Sequence, residues 1–367
     1  MKHYLLHDQQ GQTLLQFAFL IVALFTFVAL AVDVGNVYAE RRTMQNAADA
    51  AALAAARELC LQTGNAAAIA KARDYLMRNG VAEADIQAGD ITIEGNRVRV
   101  TARETATTFI AGLIGIDTVD VAAVANSACG GANSTCSLWP IAFEYAIYDG
   151  VQCGESMVIW DADNDNDKVT CEIGGVPRDI CDCYDCDLDD DGSNDFAVMT
   201  DISRGWMDFP DTSSPVFKDF CASNGCGASE LACRLLNDYT GRIELPACIA
   251  GLRGVKAGVK DEVNSRSGEF VGIPLFTSIN CGGSESHCTG KEAESYYVTK
   301  FGCVSVSGWI HSFTLNPKPG MPKSYHKITT KAILVTKDCS GKCFASCGAT
   351  DGTPAQPWEV RAASLIQ

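Results

Sequence analysis

The sequence predicts a mixed α+β protein in three parts: a long N-terminal transmembrane and stalk helix, a small α+β unit, and a disulfide-rich, mainly-β C-terminal ectodomain. Three observations carry this. No charged residue occurs between Gln12 and Val32. Seventeen of the 18 cysteines lie after residue 128. From residue 130 onward the apolar runs are short, rich in aromatic and β-branched residues, and separated by Gly, Pro, Asn and Ser, as expected of a β-sandwich or barrel.

The uncharged run comes first. Its 21 residues would reach about 31 Å as a helix, the thickness of a bilayer's hydrocarbon core. A secretory signal has a shorter apolar region, about 7–15 residues, and ends in a small-residue cleavage site. Here the run continues through Leu30, Ala31 and Val32 into Asp33, and no such site follows. The segment therefore reads as a retained anchor in membrane lipid. The flanking charges (Lys2 and Asp8 before it, Arg41 and Arg42 after it) slightly favour a cytoplasmic C-terminal side. The cysteines argue the reverse, because so many thiols are used as disulfides only in an oxidising compartment. The expected arrangement is a single-pass cell membrane protein with a short cytoplasmic leader and an extracellular or periplasmic C-terminal domain.

The flanks of the span are "GQTLLQFAFL" and "AVDVGNVYAERRTMQNAADAAALAAAREL". Gly-Gln at the head of the apolar helix, Ala31 to Gly35, and the Gln-Asn-Ala-Ala-Asp-Ala-Ala run within Gln45 to Ala55 resemble the N-terminal region of Flp pilus-assembly TadG/TadE-like proteins, which are built like type IV pilins. The resemblance covers about 50 residues and implies a structural role with other pilus-assembly or pilin-like subunits as partners. It also implies a candidate processing site, cleavage after Gly11 to leave Gln12 at the N-terminus. Pilin-type precursors commonly carry Glu five residues beyond the cut. Gln16 stands there instead, able to hydrogen-bond but not to form an ion pair with a neighbouring subunit's amine.

Beyond the span, "NAADAAALAAAREL" is dominated by Ala and Leu, strong helix formers. One helix is expected over 13–62, half in the bilayer and half outside, its small side chains open to another helix or to the membrane surface. Thr63-Gly64-Asn65 breaks it. An amphipathic helix follows over 66–80, stopped by Asn79-Gly80. "DITIEGNRVRVTARETA" reads as a β-hairpin turning at Gly95-Asn96, "TFIAGLIGI" as a short helix and "VDVAAVANSA" as a strand. The boundaries are 1–12 for the leader, 13–62 for the anchor and stalk, 63–129 for the small unit and 130–367 for the ectodomain.

The net charge of −16 is local: residues 149–201 contain 16 acidic residues against Lys168 and Arg178. The remainder is near neutral, so nucleic acid, which needs a basic surface, is not an expected partner. Within this stretch "DLDDDGSND" places Asp187, Asp189, Asp191, Gly192 and Asp195 as D-x-D-x-D-G-x-x-D. Hard oxygen donors at that density suit Ca²⁺, which takes about six to eight, and Gly192 allows the sharp turn. Ser193 would add a backbone oxygen, and Phe196-Ala197-Val198 would continue as a strand. Position twelve is Val198, so the loop resembles those of integrin-type propellers and thrombospondin-type repeats more than an EF-hand. A second candidate, "DADNDNDKVTCE", has Asp161, Asp163, Asp165 and Asp167 at alternate positions and Glu172 at position twelve. With Asn166 at position six and no preceding helix pattern, it reads as a calcium loop between strands. One or two Ca²⁺ ions are therefore expected.

Cys181, Cys183 and Cys186 form C-x-C-x-x-C, and Cys339, Cys343 and Cys347 form C-x3-C-x3-C. Export favours disulfides over a transition metal. Cys60 either stays reduced near the membrane or pairs to make all 18 cysteines bonded, and the connectivity is not readable. H-E-x-x-H, Walker, G-x-G-x-x-G and G-x-S-x-G motifs do not occur. "DISRG" begins like a metal-dependent adhesion motif but has Gly205 where that motif needs its second Ser. The expected function is therefore non-enzymatic: a membrane-anchored pilus-assembly surface protein, minor-pilin-like, with a calcium-stabilised ectodomain and a structural or adhesive role. The alternatives are a calcium-dependent adhesin using a pilin-like anchor, and an exported hydrolase.

Overall fold

A computed structural model describes residues 10–136, 138–161, 171–173, 176–178, 183–186, 196–199, 204–209, 230–237, 241–252, 258–279, 295–310 and 332–366. They divide into an N-terminal unit, 1–58 with 64–127 and 365–367, and a C-terminal unit, 59–63 with 128–364.

In the N-terminal unit, helix α1 (Gln10–Cys60) is unbroken for 51 residues, about 76 Å at the usual helical rise. Its first half shows apolar side chains on every face: Leu14, Phe17, Phe19, Leu20, Phe25 and Phe27 are all largely exposed. The second half buries one stripe. Met44, Ala47, Ala48, Ala51, Ala52, Ala55 and Ala56 are fully covered, at the i, i+3, i+4, i+7 spacing of a single helix face. Helix α2 (Asn65–Arg78) adds Ala68, Ala72 and Leu76 and stops at Asn79. Strands β1 (Ile91–Glu94) and β2 (Arg97–Thr107) form the hairpin, with Glu94 opposite Arg97. Gly95 takes φ 62°, a left-handed value that favours glycine at the first position of a two-residue loop. After a 3₁₀ turn at Ala111–Ile114 comes strand β3 (Thr118–Gly131).

β3 alternates as a half-buried strand should, covering Val121, Ala123, Ala125 and Ser127. The Ser127 hydroxyl donates to the Ala52 carbonyl oxygen at 2.6 Å, and Gln45 Nε2 reaches the Val124 carbonyl oxygen at 3.5 Å. The alanine stripe thus lies on the chain's own sheet. This differs from a stalk open to another helix or to lipid. Small side chains let a helix backbone approach any flat surface closely, and here the strand supplies that surface.

The C-terminal unit contains β4 (Ser134–Thr135), β5 (Ile141–Glu144), the short helix α3 (Tyr145–Gly150), β6 (Ser156–Asp161), β7 (Cys171–Ile173), β8 (Val176–Arg178), β9 (Cys183–Cys186), β10 (Phe196–Met199), β11 (Arg204–Asp208), β12 (Ile243–Glu244), β13 (Ala247–Leu252), β14 (Phe270–Ile279), β15 (Ser295–Ile310) and β16 (Ala332–Lys337), while the last strand, β17 (Arg361–Ile366), pairs in the sheet β1-β2-β3-β17. Nine of them form one sheet in the order β13-β11-β5-β14-β15-β16-β6-β10-β9. β13 also pairs with β15, Ala247 opposite Val298 through Ala250 opposite Ser295. That extra ladder closes β13, β11, β5, β14 and β15 into a ring, so the barrel alternative holds at one end of the sheet. β15 is long enough to pair with β14 along its length, with β13 at its start and with β16 at its end.

Both faces of this sheet are buried, which explains the near-continuous apolar runs. One face gathers Ile141, Phe143, Trp160, Trp206, Trp309 and neighbours, and the other Ala142, Met207, Phe276, Tyr296, Val298 and Phe301. Trp160 packs against Trp206 and Trp309, each with ring centroids 5.4 Å apart. Lys337 is also buried. Its ammonium donates to the carbonyl oxygens of Tyr148 and Val151 at 2.8 and 2.7 Å, and lies 4.8 Å from the Tyr148 ring centroid.

Four disulfides join described residues: Cys60–Cys129, Cys136–Cys347, Cys153–Cys339 and Cys303–Cys343. All three cysteines of the C-x3-C-x3-C stretch are thus bonded, each to a distant partner. Cys60 pairs, so the alternative of a reduced thiol there is set aside.

Candidate functional site

Where α1 leaves its charge-free run, the chain builds a joint. Asp33 is the first charged residue after Val32, yet it is only 8% exposed. Its carboxylate accepts hydrogen bonds from three consecutive backbone N–H groups: Phe109 at 2.7 Å, Ile110 at 3.1 and 3.2 Å, and Ala111 at 2.7 Å. These are the donors left unpaired at the start of the 3₁₀ turn, where an acidic oxygen is the natural cap. One helical turn on, Asn36 Nδ2 donates to the Thr107 carbonyl oxygen at 2.9 Å. Four backbone groups of the β2–β3 loop are thereby fixed to two α1 side chains. Farther along, Glu104 faces the same helix; burial pushes its carboxyl above the usual range, and the nearby Glu40 adds to the shift.

The apolar half of α1 is long and apolar enough to cross a membrane. Residues 11–58 match the family model described as putative Flp pilus-assembly TadE/G-like. This is a TadE/G-like segment. It begins at Gly11, runs through the apolar half and the Asp33 joint, and ends in the alanine stripe. The match relates the chain to Flp pilus assembly. No curated protein and no solved structure matches the chain. Gly11 and Gln12, the candidate processing site, lie in the first helical turns of the TadE/G-like segment, and Gln16 is exposed on α1.

The calcium loops fall mostly outside the described residues: Asp163, Asp165, Asp167, Asp187, Asp189, Asp191, Ser193 and Asp195 all do. Asp161 ends β6 and Glu172 lies in β7. β9 and β10 are antiparallel with Cys186 opposite Phe196, so the chain entering and leaving the 187–195 stretch starts from adjacent positions. Phe196-Ala197-Val198 is a strand, as read. Among the described residues no group of three or more His, Cys, Asp or Glu side chains is placed to hold a metal.

In the C-terminal unit a cleft of about 320 Å³ is lined by Asn133, Pro246, Lys300, Asp351, Thr353 and Glu359, among others. Lys300 Nζ and Glu359 Oε1 pair across it at 2.6 Å. The Thr353 N–H holds the Asp351 carboxyl below the usual carboxylate range. The site residue that sequence reading missed is Asp33, noted there as the end of the apolar run and as part of the Ala31 to Gly35 segment but given no role. Its signal was its isolation: a lone carboxylate at the edge of a membrane span must find donors.

Proposed function

We propose that the chain is a membrane-anchored, minor-pilin-like component of Flp pilus assembly. Its disulfide-bonded head stands on the extracellular or periplasmic side and is stabilised by one or two Ca²⁺ ions. The observation that carries this is a coincidence of segments. The residues that match the TadE/G-like family, 11–58, are those that first present an apolar surface on every side and then bury an alanine stripe against their own sheet. Such a helix is an anchor continuous with a folded base. It ties the folded N-terminal unit to the membrane, as a component holding a surface structure to the cell requires. Disulfides in the head support export, since they persist in oxidising compartments. The calcium part rests on the donor set: alternate carboxylates with Gly192 at the turn are oxygen ligands at a spacing Ca²⁺ takes, on stretches that begin and end at strands. Partners are other pilus-assembly subunits and the lipid around α1.

The test is genetic and biochemical together, in a pilus-forming host. Deleting the gene should abolish or strongly reduce surface pili, and the full chain should restore them. After mild reduction of intact cells, a membrane-impermeant maleimide should label the head. Normal piliation without the protein would overturn the pilus role. Head cysteines labelled only once the cytoplasmic membrane is broken would overturn the orientation.

A further inference from the structure

The apolar surface of the N-terminal unit does not end with α1. In the loop that follows β2, Phe109 is 61% exposed and Ile116 51%, with Ile110 and Val119 also open. The backbone of this loop is tied to Asp33 by three N–H groups and to Asn36 through Thr107. Asp33 is one residue beyond Val32, about 1.5 Å along the helix axis. The loop is therefore held at the level where the charge-free run ends, where Leu30, Val32 and Val34 are also exposed.

We propose that the loop over 107–119 is a second membrane contact, lying in the headgroup–acyl boundary of the bilayer beside α1 with Phe109 inserted among the lipid chains. The proposal rests on reading α1 as the anchor. Its occupant is lipid because the patch is fixed by Asp33 and Asn36 at the depth where the lipid-facing helix leaves its charge-free run. Interfacial contacts of this kind bury a few apolar side chains at the boundary and keep charge just outside it. The charges here are so arranged. Arg41 and Arg42 are exposed about two turns beyond Asp33, within reach of lipid phosphates. Asp117 and Asp120 are exposed toward the start of β3, which limits how deep the loop goes. Asp33 itself carries a charge that would be costly at this depth without donors, and the loop supplies them. The carboxylate and the three amides satisfy each other, which lets an irregular backbone segment sit against lipid.

The experiment uses the full chain in vesicles of phosphatidylethanolamine and phosphatidylglycerol, with a photoreactive benzoyl-phenylalanine placed at one position at a time. Position 109 tests the loop and position 25 the span. Position 94 is the control, at the turn end of the β1–β2 hairpin opposite Arg97, which lies about 33 Å along β2 from Thr107 at the usual strand rise. Irradiation followed by mass spectrometry should find lipid adducts at 25 and 109, each about tenfold above position 94. Lipid adducts at 25 but not at 109 would overturn this proposal and leave the anchor standing. Crosslinks from 109 to a second copy of the chain would overturn it in favour of self-association. Absence of lipid adducts at both 25 and 109 would remove the anchor and the proposal together. Phe109 is exposed, so its replacement leaves the fold intact.

Discussion

Gly205 leaves the space that the phenol ring of Tyr296 fills. Gly205 lies on β11 and pairs with Ala142 of β5, while Tyr296 comes from β15 across the closed ring and is 1% exposed. A Cβ on Gly205 would overlap the Tyr296 hydroxyl and ring carbons. The residue that keeps "DISRG" from being an adhesion motif is thus needed for barrel packing. Gly205→Ala should cost about 1–3 kcal/mol through overpacking, read as a lower urea midpoint in tryptophan fluorescence. Adding Tyr296→Leu should return part of the loss, so the double variant is more stable than the sum of the two singles.

Removing the Asp33 carboxylate should loosen one loop. Asp33→Ala leaves three N–H groups without their acceptor, a loss of about 1–3 kcal/mol. Amide exchange at Phe109, Ile110 and Ala111 should speed up about tenfold or more, while exchange in β1 stays unchanged. Unaltered protection at those three amides would mean that the 3₁₀ turn does not depend on the cap.

Lys337 predicts an alkaline stability slope. Burial lowers its pKa, with Asp149 and Glu155 opposing that in part. Between the lowered value and the ordinary lysine value, the unfolded chain keeps a proton that the folded chain gives up. The unfolded state therefore binds more protons there, and stability rises with pH. The advantage of wild type over Lys337→Met should be flat near neutrality and widen as pH climbs toward about 10. Tyr148, whose hydroxyl burial pushes well above its usual range, gives the opposite slope only beyond that point. Urea midpoints of both proteins from pH 7 to about 10 check the sign.

Calcium should stabilise the head. With an extracellular-type affinity of about 10⁻⁴–10⁻³ M, saturating Ca²⁺ should add about 1–3 kcal/mol and raise the melting temperature by a few degrees. Mg²⁺ should do less. Asp191→Asn should remove most of the response of the 187–195 loop, and Asp165→Asn that of the 161–172 loop. Isothermal titration of the full chain in detergent gives the number of ions. A melting temperature indifferent to both Ca²⁺ and EDTA would leave the acidic stretch as a solvated surface.

The sequence made local structure legible where one pattern admits one outcome. The charge-free run, Thr63-Gly64-Asn65 and the hairpin turning at Gly95-Asn96 each specify an element through spacing or backbone freedom, and each is found. Partners were harder to read. An alanine stripe suits a helix, a bilayer or a sheet equally well, and only the fold shows that Ala52 meets Ser127. The β13–β15 ladder joins residues about fifty apart in sequence, so no local pattern announces it. Cysteine spacing says that bonds form but not between which residues. Asp33 was visible as a charge, while its three donors lie 76 to 78 residues away.

The Cys60–Cys129 bond has a mechanical consequence. Cys60 ends α1 and Cys129 lies near the end of β3. A pull between the N-terminal helix and the head passes from residue 60 straight to residue 129 through sulfur. Residues 61–128, with α2 and the hairpin, form a covalent side loop that the bond bypasses. Extension of the tether under load is then limited to the short path across the bond, and a protease nick anywhere in that loop would leave head and base joined until the disulfide is reduced.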